Sequence, residues 1–79
     1  MIVQLFAKLR DIAAASDVAV ELPTHATVAE LRHAIIVNYP NMATLLDHCR
    51  IAVNQEFADD SHVLTPTDEV AIIPPVSGG

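Results

Sequence analysis

The spacing of apolar residues changes several times along this chain, and each change marks an element. Residues 2–7, Ile-Val-Gln-Leu-Phe-Ala, are β-branched and aromatic with few polar interruptions, which predicts a strand well inside a sheet. From Lys8 to Ala15 the composition turns to helix formers, and Leu9, Ile12 and Ala13 share one face of a short helix ending near Ser16-Asp17. Val18 to Leu22 alternates with the period of a half-buried strand, closed by Pro23 and expected to run antiparallel to the first. Thr27-Val28-Ala29-Glu30 is a capping box, in which each residue's side chain satisfies the other's backbone N–H. Val28, Leu31, Ala34 and Ile35 then line one side of a helix running to about Asn38. Pro40 stops it, and Asn41 is expected to cap a further turn carrying Met42, Leu45 and Leu46.

The second half reads as short strands and turns. Arg50 to Asn54 predicts a strand and Asn54-Gln55-Glu56 a turn, with Phe57 directly after it. Asp59-Asp60-Ser61 and Thr65 to Glu69 are turn chemistry on either side of His62-Val63-Leu64. Val70 to Ile73, four apolar residues in a row, predicts a strand buried on both faces. A sheet of four or five strands with one main helix across it is the economical architecture, because a single apolar stripe needs one sheet face to bury it. A split βαβ arrangement is the competing topology.

Composition narrows the function. Seventy-nine residues allow one domain, and 52% hydrophobic content supplies its core. Ten carboxylates against Lys8, Arg10, Arg32 and Arg50 give a formal charge of -6, which argues against nucleic acid or an anionic membrane as partner. A protein partner with a basic face fits better. Cys49 is the only cysteine, so no intrachain disulfide forms, which fits a reducing cytosol. The first residues carry no basic segment before their apolar run, so no leader is expected, and no run reaches the length of a membrane span.

Few residues offer chemistry. His25, His33, His48 and His62 lack paired metal-ligand spacing, so no metal site is expected. Cys49 reads as a buried, inert thiol, and Asp59-Asp60 and Asp68-Glu69 as solvated turn residues. Phe57 is either a core residue on a short strand or an exposed docking residue.

The end of the sequence remains. Pro74-Pro75 forbids continuation of the last strand, and Val76-Ser77-Gly78-Gly79 completes a flexible tail over residues 74–79. Its reactive group is the Gly79 carboxylate, a poor electrophile until a partner enzyme activates it. Glycine, lacking Cβ, enters a narrow tunnel that a larger residue would block. A frayed chain end is the competing reading, and the strand and proline pair directly before the glycines weigh against it.

The segment Asp68-Glu69-Val70-Ala71-Ile72-Ile73-Pro74-Pro75-Val76-Ser77-Gly78-Gly79 resembles the end of the small, sulfur-carrying subunit of molybdopterin synthase, a ubiquitin-like sulfur-carrier family. Leu5-Phe6-Ala7 with Leu9-Arg10, Thr27-Val28 through Leu31, and Ala52-Val53-Asn54-Gln55 extend the likeness over the whole chain. The resemblance implies an α+β, ubiquitin-like β-grasp fold with adjacent central first and last strands. It implies a non-catalytic, cytoplasmic subunit that binds no cofactor itself and works in a heterotetramer with the large catalytic subunit. An E1-like adenylyltransferase would use ATP and a sulfur donor to convert the Gly79 carboxylate to a thiocarboxylate, whose sulfur passes to a cyclic pyranopterin precursor. Phe57 and Ile73 fall where the family makes hydrophobic contact with its partner, although the family's frequent aromatics before Pro-Pro are Ile72 and Ile73 here. A carrier for thiamine thiazole or another thiolation, and a non-covalent β-grasp interaction module, are the alternatives.

Overall fold

The computed structural model describes residues 1–75; of the expected tail, Val76, Ser77, Gly78 and Gly79 lie outside the described residues. In chain order the elements are β1 (Ile2–Gln4), α1 (Lys8–Ala13), β2 (Asp17–Ala19), α2 (Val28–Asn38), a 3-10 turn (Pro40–Met42), α3 (Ala43–Leu46), β3 (Arg50–Val53), β4 (Glu56–Ala58) and β5 (Val70–Ile73). Five strands form one mixed sheet in the order β2-β1-β5-β3-β4. β5 is its middle strand, parallel to β1 and antiparallel to β3. A parallel pair needs a crossover, and the chain between β1 and β5 supplies it with α2. This is the β-grasp arrangement, and it replaces the split βαβ alternative.

Local sequence explains α2 well. The Glu30 amide donates to Thr27 Oγ1 at 3.3 Å and the Thr27 amide donates to Glu30 Oε1 at 3.1 Å, so the capping box closes in both directions. The helix presents Val28, Leu31 and Ile35, all fully buried, to a core that includes Val3, Ile51, Val70 and Ile72 from three strands. Arg32, on its flank, fastens it to the rest of the fold. Its guanidinium donates to the carbonyls of Leu46 and Cys49 at 2.7 and 2.8 Å and to Asp60 Oδ1 at 3.0 Å. Asp60 is an exposed turn residue, as expected, and is in addition the anionic half of an ion pair.

Other expectations need correction. The first strand stops at Gln4 because Ala7 turns the chain at φ 52° into α1, although Leu5 still donates to the Ser16 carbonyl at 2.9 Å. α1 ends at Ala13 because Ala14 adopts φ 55°, the left-handed cap that more often falls to glycine. β2 covers Asp17–Ala19 rather than Val18 to Leu22, yet the alternation holds, with Val18 and Val20 both buried. Asn41 does not cap α3; that position is held by Met42, with no side-chain hydrogen bond. The most consequential correction concerns β5. Val70 and Ile72 are buried but Ala71 and Ile73 are only half-buried, because α2 covers one face of the sheet and, among the described residues, no second layer covers the other.

Candidate functional site: an open sheet face and the end of its middle strand

Strand periodicity sorts the residues of β5 and its neighbours onto two faces. Val70 and Ile72 point into the core, so Ala71 and Ile73 point outward. Ala71 lies opposite Gln4 on one side and Ala52 on the other, and Ala52 in turn lies opposite Phe57. Ile73 lies opposite Arg50. Two alanines side by side at the middle of a sheet leave a depression between larger neighbours. Here it is a shallow hollow of about 470 Å³, bounded by Phe6, Phe57 and Ile73 with Gln4, Gln55 and Glu69 at its polar margin. Phe57 is 54% exposed and Phe6 41%, which resolves the ambiguity over Phe57: it is a surface aromatic. The Arg50 guanidinium lies over the Phe57 ring, 3.7 Å from its centroid.

A polar clamp holds the two chain segments that border this hollow. Asn54 and Gln55 have φ of 53° and 71°, the backbone of a tight hairpin turn between β3 and β4. Asn54 Nδ2 donates to Asp68 Oδ1 at 2.9 Å, and the Glu69 amide donates to Asn54 Oδ1 at 2.9 Å. The Asn54 amide also donates to the Glu69 carbonyl, at 2.7 Å. The other Asp68 oxygen accepts from the Thr65 amide at 2.8 Å. These donors, the Thr65 amide first and the Asn54 side chain next, hold the Asp68 carboxyl below its ordinary range. The hairpin bearing Phe57 is thus tied to the entry of β5.

The far end of β5 is where the expected tail begins. Ile73 is its last residue, Pro74 is half-buried and Pro75 exposed. Neither proline has an N–H, so the ladder cannot extend past them. The tail positions beyond Pro75 carry the expected chemistry of Gly79 and lie outside the described residues.

Among the described residues, other polar groups form no competing centre. All four histidines are exposed, and among the described residues no group of three His, Cys, Asp or Glu is arranged to hold a metal. Cys49 is 4% exposed and its thiol donates to the Leu45 carbonyl at 3.2 Å. Burial pushes that thiol up, and the nearby Arg32 charge only partly offsets it, so little reactive thiolate forms. Among the described residues no helix is long and apolar enough to cross a membrane. Sequence reasoning singled out Phe57 and Ile73 but missed Gln4, Ala52, Ala71 and Arg50. Stepping back by two from Ile73 finds Ala71, whereas Arg50 and Ala52 lie on β3 and are reached only through the register that pairs them with Ile73 and Phe57.

Fold and surface together define a ubiquitin-like β-grasp domain whose accessible features are one open sheet face and the end of its middle strand. The chain matches the ThiS family over residues 3–79 and belongs to it. It is 40% identical over 76 residues to the molybdopterin synthase sulfur carrier subunit of Chlamydomonas reinhardtii, covering 94% of this chain and 92% of that one. The crystal structure of small archaeal modifier protein 1 from H. volcanii superposes with a TM-score of 0.88 at 28% identity, covering 96% of this chain and 97% of the other. A chain from the protein–protein complex of subunits 1 and 2 of the Helicobacter pylori molybdopterin-converting factor matches with a TM-score of 0.69 at 25% identity, covering 99% of this chain and 96% of that one.

Proposed function

We propose that this chain is the sulfur carrier of molybdopterin synthase, and that Gly79 is the residue that carries the sulfur. The observation that supports this best is the extent of the family match, which runs to residue 79 and so includes Gly78 and Gly79. The described residues add that β5, the strand leading to those glycines, lies at the centre of the sheet.

Three steps account for the chemistry. The Gly79 carboxylate attacks the α-phosphorus of ATP on an E1-like adenylyltransferase, releasing pyrophosphate and forming an acyl-adenylate. A donor of sulfur at the sulfide oxidation level displaces AMP, so that sulfur replaces one carboxylate oxygen. In the large catalytic subunit the thiocarboxylate sulfur bonds to a carbon of the cyclic pyranopterin precursor as a C–O bond at that carbon breaks and its oxygen leaves, and water then cleaves the acyl–sulfur bond and restores the carboxylate. Two such transfers build a dithiolene. The chain itself contributes presentation: Pro74-Pro75 ends the ladder, Val76 and Ser77 extend the reach, and Gly78-Gly79 passes where a Cβ would not.

The open face is the docking surface for the large subunit in this reading, with Phe57 and Ile73 as apolar contacts and the Ala52–Ala71 hollow between them. The H. pylori complex, which joins a similar chain to subunit 2 of the molybdopterin-converting factor, supports a second subunit as the partner. Mass spectrometry of the intact chain after incubation with the adenylyltransferase, ATP and a sulfur donor tests the reading. The expected product has one oxygen exchanged for sulfur at Gly79, and an unchanged mass would refute it. Replacing Gly78 by valine is expected to block delivery while leaving docking intact.

A further inference from the structure

The open face is mixed in charge, with Glu69 at the margin of its hollow and Asp17 opposite Gln4 at its β2 side. The chain is acidic overall, at -6, and its general match is a basic surface. Yet among the outward-pointing strand residues of this face the cation is Arg50, placed opposite Ile73 at the edge from which the chain continues into Pro74-Pro75. Arg32, by contrast, is consumed by Asp60 and two carbonyls. The ion pairs among the described residues do not include Arg50. Its guanidinium is exposed but not loose, since it lies 3.7 Å over the Phe57 ring. Stacking uses the flat face of a guanidinium and leaves its edge of N–H donors to solvent, in the fork geometry that matches a carboxylate. Holding the group in place before binding also removes part of the ordering cost that an exposed arginine would otherwise incur.

We propose that Arg50 is a specificity-determining residue of the docking face: the large subunit presents a carboxylate to the guanidinium edge, beside the mouth through which the tail enters. The assignment rests on the docking reading above. It adds a local acidic feature to a partner surface that the chain's net charge would otherwise require to be basic throughout. That contrast makes the sign of the effect diagnostic. Removing Arg50 makes the chain more acidic, so if Arg50 acted only through net charge, its loss would tighten binding to a basic partner. If it meets a carboxylate, its loss weakens binding.

The test is titration of the purified large subunit with the wild-type chain, Arg50→Gln, Arg50→Lys, Arg10→Gln and Phe57→Ala, each at low and high salt, with thermal melting to establish that every variant is folded. Arg10 borders a separate small recess next to Gln4 and Phe6 and serves as the control for diffuse charge. The expected result is about tenfold weaker binding for Arg50→Gln, a value typical of losing one charge-assisted contact. Arg50→Lys should show a smaller loss, and Arg10→Gln little change. The wild-type advantage over Arg50→Gln should shrink as salt rises. Unchanged or tighter binding by Arg50→Gln, while Phe57→Ala is weakened, overturns the proposal and leaves the docking reading standing. Equal, salt-independent losses for Arg50→Gln and Arg50→Lys also overturn it, because Arg50 would then act only by supporting the Phe57 ring. Losses as large for Arg10→Gln overturn it in favour of a broadly acidic partner surface that does not single out Arg50. Unchanged binding by Phe57→Ala as well removes the docking reading itself.

Discussion

On the helix-covered face of the sheet, Val3, Ile51, Val70 and Ile72 are at most 2% exposed. On the other face of the same strands, Ala52, Ala71 and Ile73 are half-buried and Phe57 is 54% exposed. The residues alternate one by one along β3 and β5, so a step of one position moves from the core to the open face. Large branched side chains fill the covered face because α2 packs against it. Alanines at the centre of the open face create a hollow because none of the described residues packs over them. Substitutions on the two faces should therefore separate cleanly into losses of folding and losses of docking, and that separation can be attacked experimentally.

The largest effect is expected from the covered face. Leu31→Ala removes a fully buried side chain and should cost roughly 2 to 5 kcal/mol of folding free energy, read from denaturant melts. Docking by the fraction that remains folded should be unchanged. Phe57→Ala should do the reverse, weakening binding to the large subunit by about 2 kcal/mol, measured by calorimetry. Its own stability should move by no more than about 0.5 kcal/mol, as for other exposed positions. Ala71→Leu fills the hollow from below, and its prediction is a loss of affinity of about 1 to 3 kcal/mol through steric overlap, with near-normal melting. A large destabilisation by Ala71→Leu would mean that the face is not open.

The smallest effect sharpens the comparison through pH. Hydrogen bonds hold the Asp68 carboxyl below its unfolded value, so it contributes stability above about pH 4 that is lost as pH falls through its folded pKa. Asp68→Asn removes that dependence, and its stability should fall less steeply with acid than that of the wild type. Equal acid slopes would place the acid-sensitive contact elsewhere.

The range of each interaction decides how much of the fold and site was legible in the sequence. The capping box and the end of α2 at Asn38 depend on residues within one turn of each other, and both formed as expected. The stop of β5 at Ile73 reflects the missing N–H of Pro74. Arg32 was opaque because its partners lie 14 to 28 residues away. The turns at Ala7 and Ala14 were opaque for a different reason: alanine at positive φ carries no turn signal. The apolar run of β5 predicts burial on both faces because such a run looks the same whether its second face meets another layer or is left open. The exposure of Phe57 has the same origin, since it depends on which face the helix covers. For the tail, Gly78-Gly79 after Pro-Pro was the legible feature, and its role comes from resemblance rather than from contacts.

A single-turnover delivery experiment tests the carrier role most directly. Chain charged with sulfur at Gly79 is mixed with the large subunit and the cyclic pyranopterin precursor, and the chain's intact mass and the pterin product are followed together. The predicted result is return of the chain to its carboxylate mass as dithiolene forms, with two charged chains consumed for each product. Persistence of the charged mass, or loss of sulfur without dithiolene, would contradict it.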